Sequence, residues 1–93
     1  MSLHRYEGMT FFPFREESGP SYIGRGPGTS FNVNVAWETG KKANEEVLQL
    51  NEVTDLGCNE YKHACDELLF PIARQFQPDL ILISCGFDSA IHD

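Results

Sequence analysis

Pro78-Asp79-Leu80-Ile81-Leu82-Ile83-Ser84-Cys85-Gly86-Phe87-Asp88 is the stretch whose interpretation decides the fold. Leu80 to Ile83 is a continuous apolar run without polar alternation. So short a run predicts a strand covered on both faces, as in a parallel sheet. Gly86 lets the backbone turn tightly, and Asp88 is then presented just beyond the carboxyl end of that strand, where open α/β sheets keep their sites. An aspartate there is also a common helix N-cap or turn former, so its position, more than its type, makes it a candidate. Asp88, His92 and Asp93 could be written as a local metal triad. Three ligands so close together usually come with others elsewhere, however, and the sequence holds no H-E-x-x-H, no Asp-x-His and no cysteine pair at metal spacing.

Moving toward the amino terminus, Tyr61, Ala64, Cys65, Leu68, Leu69, Ile72, Ala73 and Phe76 fall on a 3.6-residue stripe. The spacing predicts an amphipathic helix from Asn59 to about Gln77, with Asn59 as N-cap and Pro78 as the stop. Pro71 has no N–H for the carbonyl of Glu67 and should kink it. Residues 38–57 are polar and charged, with a weak helical pattern at Ala43, Val47 and Leu48, and read as a solvated excursion or short surface helix. Before them, Phe31-Asn32-Val33-Asn34-Val35-Ala36-Trp37 alternates for most of its length, the signature of a strand with Phe31, Val33, Val35 and Trp37 on one face. Strand, excursion, helix and strand in that order make a β-α-β unit.

Residues 13–30 carry Pro13, Gly19, Pro20, Gly24, Gly26, Pro27 and Gly28, which exclude a regular helix and predict a long irregular loop. Gly24-Arg25-Gly26-Pro27-Gly28 looks like a phosphate cradle only superficially: such a loop follows a strand and opens a helix, whereas these glycines precede a strand. Phe11 and Phe12 stand at the mouth of the long loop, where they could wall an apolar slot. His63 faces away from the helical stripe, and His4 has no visible partner. Cys65 and Cys85 lie among apolar residues and read as buried thiols, with Cys58 an incidental loop residue.

The 93 residues carry 7 Lys and Arg against 14 Asp and Glu, a net charge of −7, which argues against binding a phosphate backbone. No apolar run approaches the roughly 20 residues of a membrane span. Residues 1–10 lack the order of a signal peptide, so an intracellular setting is expected. Three cysteines without C-x-x-C spacing indicate neither a disulfide scaffold nor a cysteine zinc site. At this length the chain is one small domain or part of a larger one.

Three blocks, in order, resemble the catalytic domain of the zinc-dependent histone deacetylases, class II more than class I: SLHRYEGMTFFP at 2–13, GRGPGTSFNVNVAW at 24–37, and the run from Glu60 to Asp88 that includes LLFPIARQFQPDLILISCGFD. The resemblance implies a partial parallel-sheet α/β domain of the arginase/deacetylase type, with residues 1–93 a central slice of it. Asp88 matches one of three protein ligands of the catalytic zinc. Phe12 matches an aromatic wall of the channel that takes the acetyl-lysine side chain. Ser2, by hydroxyl and carbonyl, and Leu3, by carbonyl, match ligands of a structural potassium ion, and the Phe31 carbonyl is a candidate ligand of a second potassium. Carboxylate for a divalent ion, hard oxygens for an alkali cation and a ring face for methylenes each suit the residue type.

The departures are as specific. The family's Asp-x-His ligands, its pair of catalytic histidines and its carbonyl-polarising tyrosine or histidine have no counterpart here, so no catalytic residue is assigned within the chain. Residues 41–58 look like an insertion, and His92 stands where the family usually has glycine. The expectation is a fragment of a deacetylase that hydrolyses N-acetyl-lysine on histones or other proteins in the nucleus or cytoplasm. It would use zinc and potassium, be inactive in isolation, and be completed by the rest of its domain or by co-regulators. The alternative is a non-catalytic remnant or interaction module; the arginase-type hydrolases, which should show further metal-binding aspartates, fit less well.

Overall fold

The computed structural model describes residues 1–40 and 56–87. Two strands, β1 (Ser2–Arg5) and β2 (Asn34–Trp37), pair in parallel with Ser2 opposite Asn34 and Arg5 opposite Trp37. A helical stretch follows in three parts: α1 (Cys58–Ala64), a π turn (Cys65–Leu69) and α2 (Phe70–Phe76). The result is a partial α/β arrangement, consistent with the expected class. No helix among the described residues is long and apolar enough to cross a membrane.

The alternating segment forms a strand only over its second half. Ser30 takes a left-handed φ of 72° and the Phe31 N–H closes a turn on the Gly28 carbonyl at 3.0 Å, so Phe31 stays outside the strand and exposed. The polar positions meet the long loop. Asn34 donates from Nδ2 to the carbonyls of Glu17 at 2.9 Å and Gly19 at 3.0 Å, and Asn32 donates to the Tyr22 carbonyl at 3.2 Å. Side-chain amides thereby satisfy backbone groups of a segment that makes few regular bonds itself, with two short 3₁₀ turns at Glu16–Ser18 and Gly26–Gly28. The turn interpretation of the glycine-rich stretch holds. Gly24 has φ +103°, and a Cβ there would lie 2.3 Å from the Gly28 carbonyl oxygen.

The helix starts two residues before the sequence suggests. Gly57, not Asn59, is its N-cap, and the Glu60 carboxylate accepts the Gly57 N–H at 2.7 Å, so an acid in the first turn satisfies the entering backbone. That bond holds the Glu60 carboxyl below its ordinary range. Cys58 is the first helical residue rather than part of a loop. Pro71 acts through the π turn: the Phe70 N–H reaches back to the Cys65 carbonyl, and the wider turn gives the proline ring room where an α-turn would press it against the Glu67 carbonyl. Gln77 ends the helix in the left-handed region at φ 54°.

The strand expected at Leu80–Ile83 does not form. These residues pair with no neighbour among the described ones, and Leu82 is 85% exposed. A buried parallel strand needs partners at its edges and cover on both faces, and the two-stranded ribbon and one helix supply neither. The β-α-β unit is therefore not built; the parallel pair is β1 with β2, joined by the irregular loop. Cys85 is exposed and Cys65 only half-buried, so neither is the buried thiol expected; the apolar segment around Cys85 is left exposed among the described residues. Among the described residues Ala64 is the one buried apolar residue; the helical stretch meets the sheet at Trp37 with Tyr61, 5.6 Å between centroids, and meets the turn before β2 at Phe31 with Phe76, 6.4 Å. The excursion and proposed insertion fall mostly on residues 41–55, outside the described residues.

Candidate functional site

Both strands run the same way, so their carboxyl ends lie side by side and their exit loops meet there. The Trp37 carbonyl accepts the N–H groups of Tyr6 at 2.9 Å and Glu7 at 3.3 Å. The Phe11 N–H returns to the Tyr6 carbonyl at 3.2 Å, folding the aromatic loop over the strand end. Phe12, the sequence-predicted channel wall, sits on that loop, 74% exposed, its ring edge-on to Phe14 at 6.4 Å. A bare pair of aromatic faces at the carboxyl end of a parallel pair can pack against an extended methylene chain.

Ser2 and Leu3 lie at the amino end of β1. Ser2 donates its N–H to the Val33 carbonyl at 2.9 Å, which brings it near the chain leading from Phe31. His4, which has no partner visible in the sequence, bonds on both ring nitrogens: Nδ1 to the Ser2 Oγ at 2.7 Å and Nε2 to the Ser18 carbonyl at 2.7 Å. A carbonyl only accepts, so Nε2 carries the proton; on the neutral ring Nδ1 then accepts from the Ser2 hydroxyl. If the Ser2 hydroxyl donates in this way, its oxygen keeps lone pairs that could accept from or coordinate another group, and Ser2 is exposed.

The described residues do not assemble a zinc site. No group of three or more His, Cys, Asp or Glu comes together among them, and Asp88 falls outside the described residues, as do His92 and Asp93. One carboxylate alone does not hold zinc.

Sequence reasoning passed over a side chain with four hydrogen-bond donors around it. Glu7 is buried, and its carboxylate accepts from Arg5 Nε at 3.0 Å, from the Thr39 N–H at 2.8 Å, from the Thr39 hydroxyl and from the Gly40 N–H at 3.2 Å. Burial pushes the carboxyl up, but these donors, the Thr39 hydroxyl foremost, outweigh it and bring the pKa down to about 2. No motif or periodicity singles out Glu7, because all its partners on the second strand's exit are more than 30 residues away in the chain.

With this geometry in place, comparison with known proteins is decisive. The family model described as "Histone deacetylase domain" matches residues 1–93. The chain belongs to the histone deacetylase family. It is 38% identical over 92 residues to "Histone deacetylase 5" of Arabidopsis thaliana and 42% identical over 92 residues to "Polyamine deacetylase HDAC10" of Homo sapiens. Each alignment takes in 99% of this chain but 12% of the relative's length. "Histone deacetylase 6" of Caenorhabditis elegans is 38% identical over 93 residues, which is 8% of its length. These 93 residues thus correspond to a small part of each deacetylase, and the expected resemblance is borne out across all of them.

Proposed function

We propose that the chain is a part of a zinc-dependent deacetylase that hydrolyses N-acetyl-lysine amides on histones or other proteins in the nucleus or cytoplasm. The observation that carries this is the position of Phe12, on an exposed aromatic loop at the carboxyl end of the parallel strands of a histone deacetylase family chain. Phe12 packs against the substrate's methylenes. Ser2 and Leu3 offer hard oxygens to a potassium ion, and the Phe31 carbonyl serves a second. Asp88 contributes one carboxylate to the zinc, whose other ligands, with the general base, belong to other parts of the domain. No step of the reaction is completed by these residues alone, so the isolated chain is inactive.

A second substrate reading has support of its own. A relative bears the name polyamine deacetylase, and a net charge of −7 favours cationic substrates, whether a basic protein tail or an acetylated polyamine.

The test is a chimera in which residues 1–93 replace the matching segment of the human relative, assayed on an acetyl-lysine peptide and an acetylated polyamine. Activity on the peptide that is abolished by Asp88→Asn and reduced roughly 10- to 100-fold in kcat/KM by Phe12→Ala supports the proposal. A folded, zinc-loaded chimera that ignores Asp88→Asn, or that turns over only the polyamine, sinks the peptide assignment. Zinc-dependent turnover by residues 1–93 alone would sink the fragment interpretation.

A further inference from the structure

Glu7 is a buried acid that the proposed reaction does not use. Its side chain and its backbone tie together three things that the sequence keeps apart. The carboxylate holds the exit of β2 through Thr39 and Gly40. The Glu7 carbonyl accepts both the N–H of Thr10, at 3.0 Å, and its hydroxyl, at 2.6 Å, which opens the turn leading to Phe11 and Phe12. Arg5, at the end of β1, donates to the same carboxylate while its guanidinium lies 4.6 Å from the centroid of the Phe11 ring. We propose that Glu7, acting with Arg5 and Thr39, is a positioning residue that fixes the aromatic loop and thereby sets where Phe12 stands at the carboxyl end of the sheet. Its consequence for substrate rests on the assignment of Phe12 as a channel wall; the clamp itself does not.

The backbone shows why a clamp is needed. Glu7, Met9 and Phe14 all take left-handed φ values, 52°, 72° and 59°, which residues bearing a Cβ mostly avoid. A short loop holding three such residues does not keep its shape by local preference, and persists where surrounding bonds over-determine it. Those bonds converge on Glu7. Phe12 itself is exposed and touches Phe14, so its place is inherited from the loop rather than from a pocket of its own. Among the described residues, the charged groups bonded to the clamp and its turn are Arg5 on β1 and Glu38 beyond β2, the latter accepting the Gly8 N–H at 2.9 Å. Glu38 therefore fastens the same turn from the other side. The carboxylate of Glu7 is the shared acceptor for two strand exits, and a neutral amide in its place would present one acceptor oxygen instead of two.

Carbon-detected NMR of the chimera described above, isotopically labelled within residues 1–93 and titrated downward from pH 7, reads the Glu7 carboxyl and the Phe11 and Phe12 rings together. The clamp requires Glu7 to titrate below the ordinary glutamate range, held there by its donors, with the Phe11 and Phe12 resonances moving at the same midpoint. Glu7→Gln should hold those ring resonances at their low-pH positions throughout. Thr39→Val, which removes a hydroxyl and little volume, should raise the Glu7 midpoint by about one pH unit and carry the ring resonances with it. A Glu7 that titrates in the ordinary carboxylate range, or Phe11 and Phe12 rings indifferent both to its titration and to Glu7→Gln, overturns the proposal. None of these outcomes involves deacetylation, so a failed clamp leaves the Phe12 assignment to the activity assay, and an inactive chimera leaves the clamp standing.

Discussion

Gly24 and Gly26 both have left-handed backbones, but their surroundings differ. A Cβ at Gly24 would collide with the Gly28 carbonyl, whereas at Gly26 nothing lies within 4 Å. Gly24→Ala should accelerate amide exchange at Ser30, whose N–H bonds the Ile23 carbonyl, by roughly 30-fold, a local loss of about 2 kcal/mol. Gly26→Ala should cost only the backbone preference, about 1 kcal/mol and roughly fivefold. Glu7 makes stability depend on pH in a definite direction. Its folded pKa lies below the unfolded one, so its contribution is present above pH 4.5 and is lost as pH falls from there toward about 2. Full conversion of that difference would be about 3 kcal/mol, and screening near the surface of so small a body leaves about 1–2 kcal/mol. Urea unfolding followed by Trp37 fluorescence should show the wild-type midpoint falling across this window, with that component missing in Glu7→Gln. Phe12 was legible as a candidate because two adjacent aromatics before a proline are conspicuous. Glu7 was not, since its importance lies entirely in who its distant partners are.

Local sequence rules did well on the helix and poorly on the strands. The 3.6-residue stripe locates a helical stretch that runs from Cys58 to Phe76, and Pro71 marks where its bonding changes. Pro71→Ala would restore an N–H for the Glu67 carbonyl and remove the ring that the π turn accommodates. Far-UV circular dichroism should then deepen at 222 nm as the π turn relaxes to α, with a gain of about 1–2 kcal/mol in helix stability. An unchanged spectrum would mean that something other than the proline holds the π turn. On the exposed face, Lys62 and Asp66 pair one turn apart, and the contact raises the lysine pKa. Strand β1 went unread because Ser-Leu-His-Arg has neither alternation nor an apolar run; it becomes a strand by pairing with β2. The Leu80–Ile83 run errs the other way, having strand composition and no pairing partner among the described residues.

Among the described residues, apolar side chains outnumber the surfaces that cover them. Leu80, Ile81, Leu82, Ile83 and Phe87 are all exposed, and an open groove of about 360 Å³ runs between α2 and the segment at Pro78 and Ile81, away from the Phe12 loop. Trp37 Nε1 is buried with no acceptor among the described residues, a penalty of about 1–3 kcal/mol. Residues 1–93 in isolation should therefore melt broadly and self-associate, the exposed run offering both apolar surface and unpaired backbone. Sedimentation at increasing concentration checks this. Leu82→Lys should reduce the association, whereas a sharp, concentration-independent melt of a monomer would show an autonomous domain. What is local or compositional was already present in the amino-acid order: the helix and its proline, the glycine turns, the acidity, and the run of family blocks that identifies the chain. What depended on contacts across the chain was not: the β1 and β2 pairing, the His4 bridge between Ser2 and Ser18, the burial of Glu7, and the bareness of Leu80–Ile83. Periodicity reports which face of an element is apolar, but hydrogen-bond partners tens of residues apart, and whether any surface exists to cover that face, are properties of the folded chain.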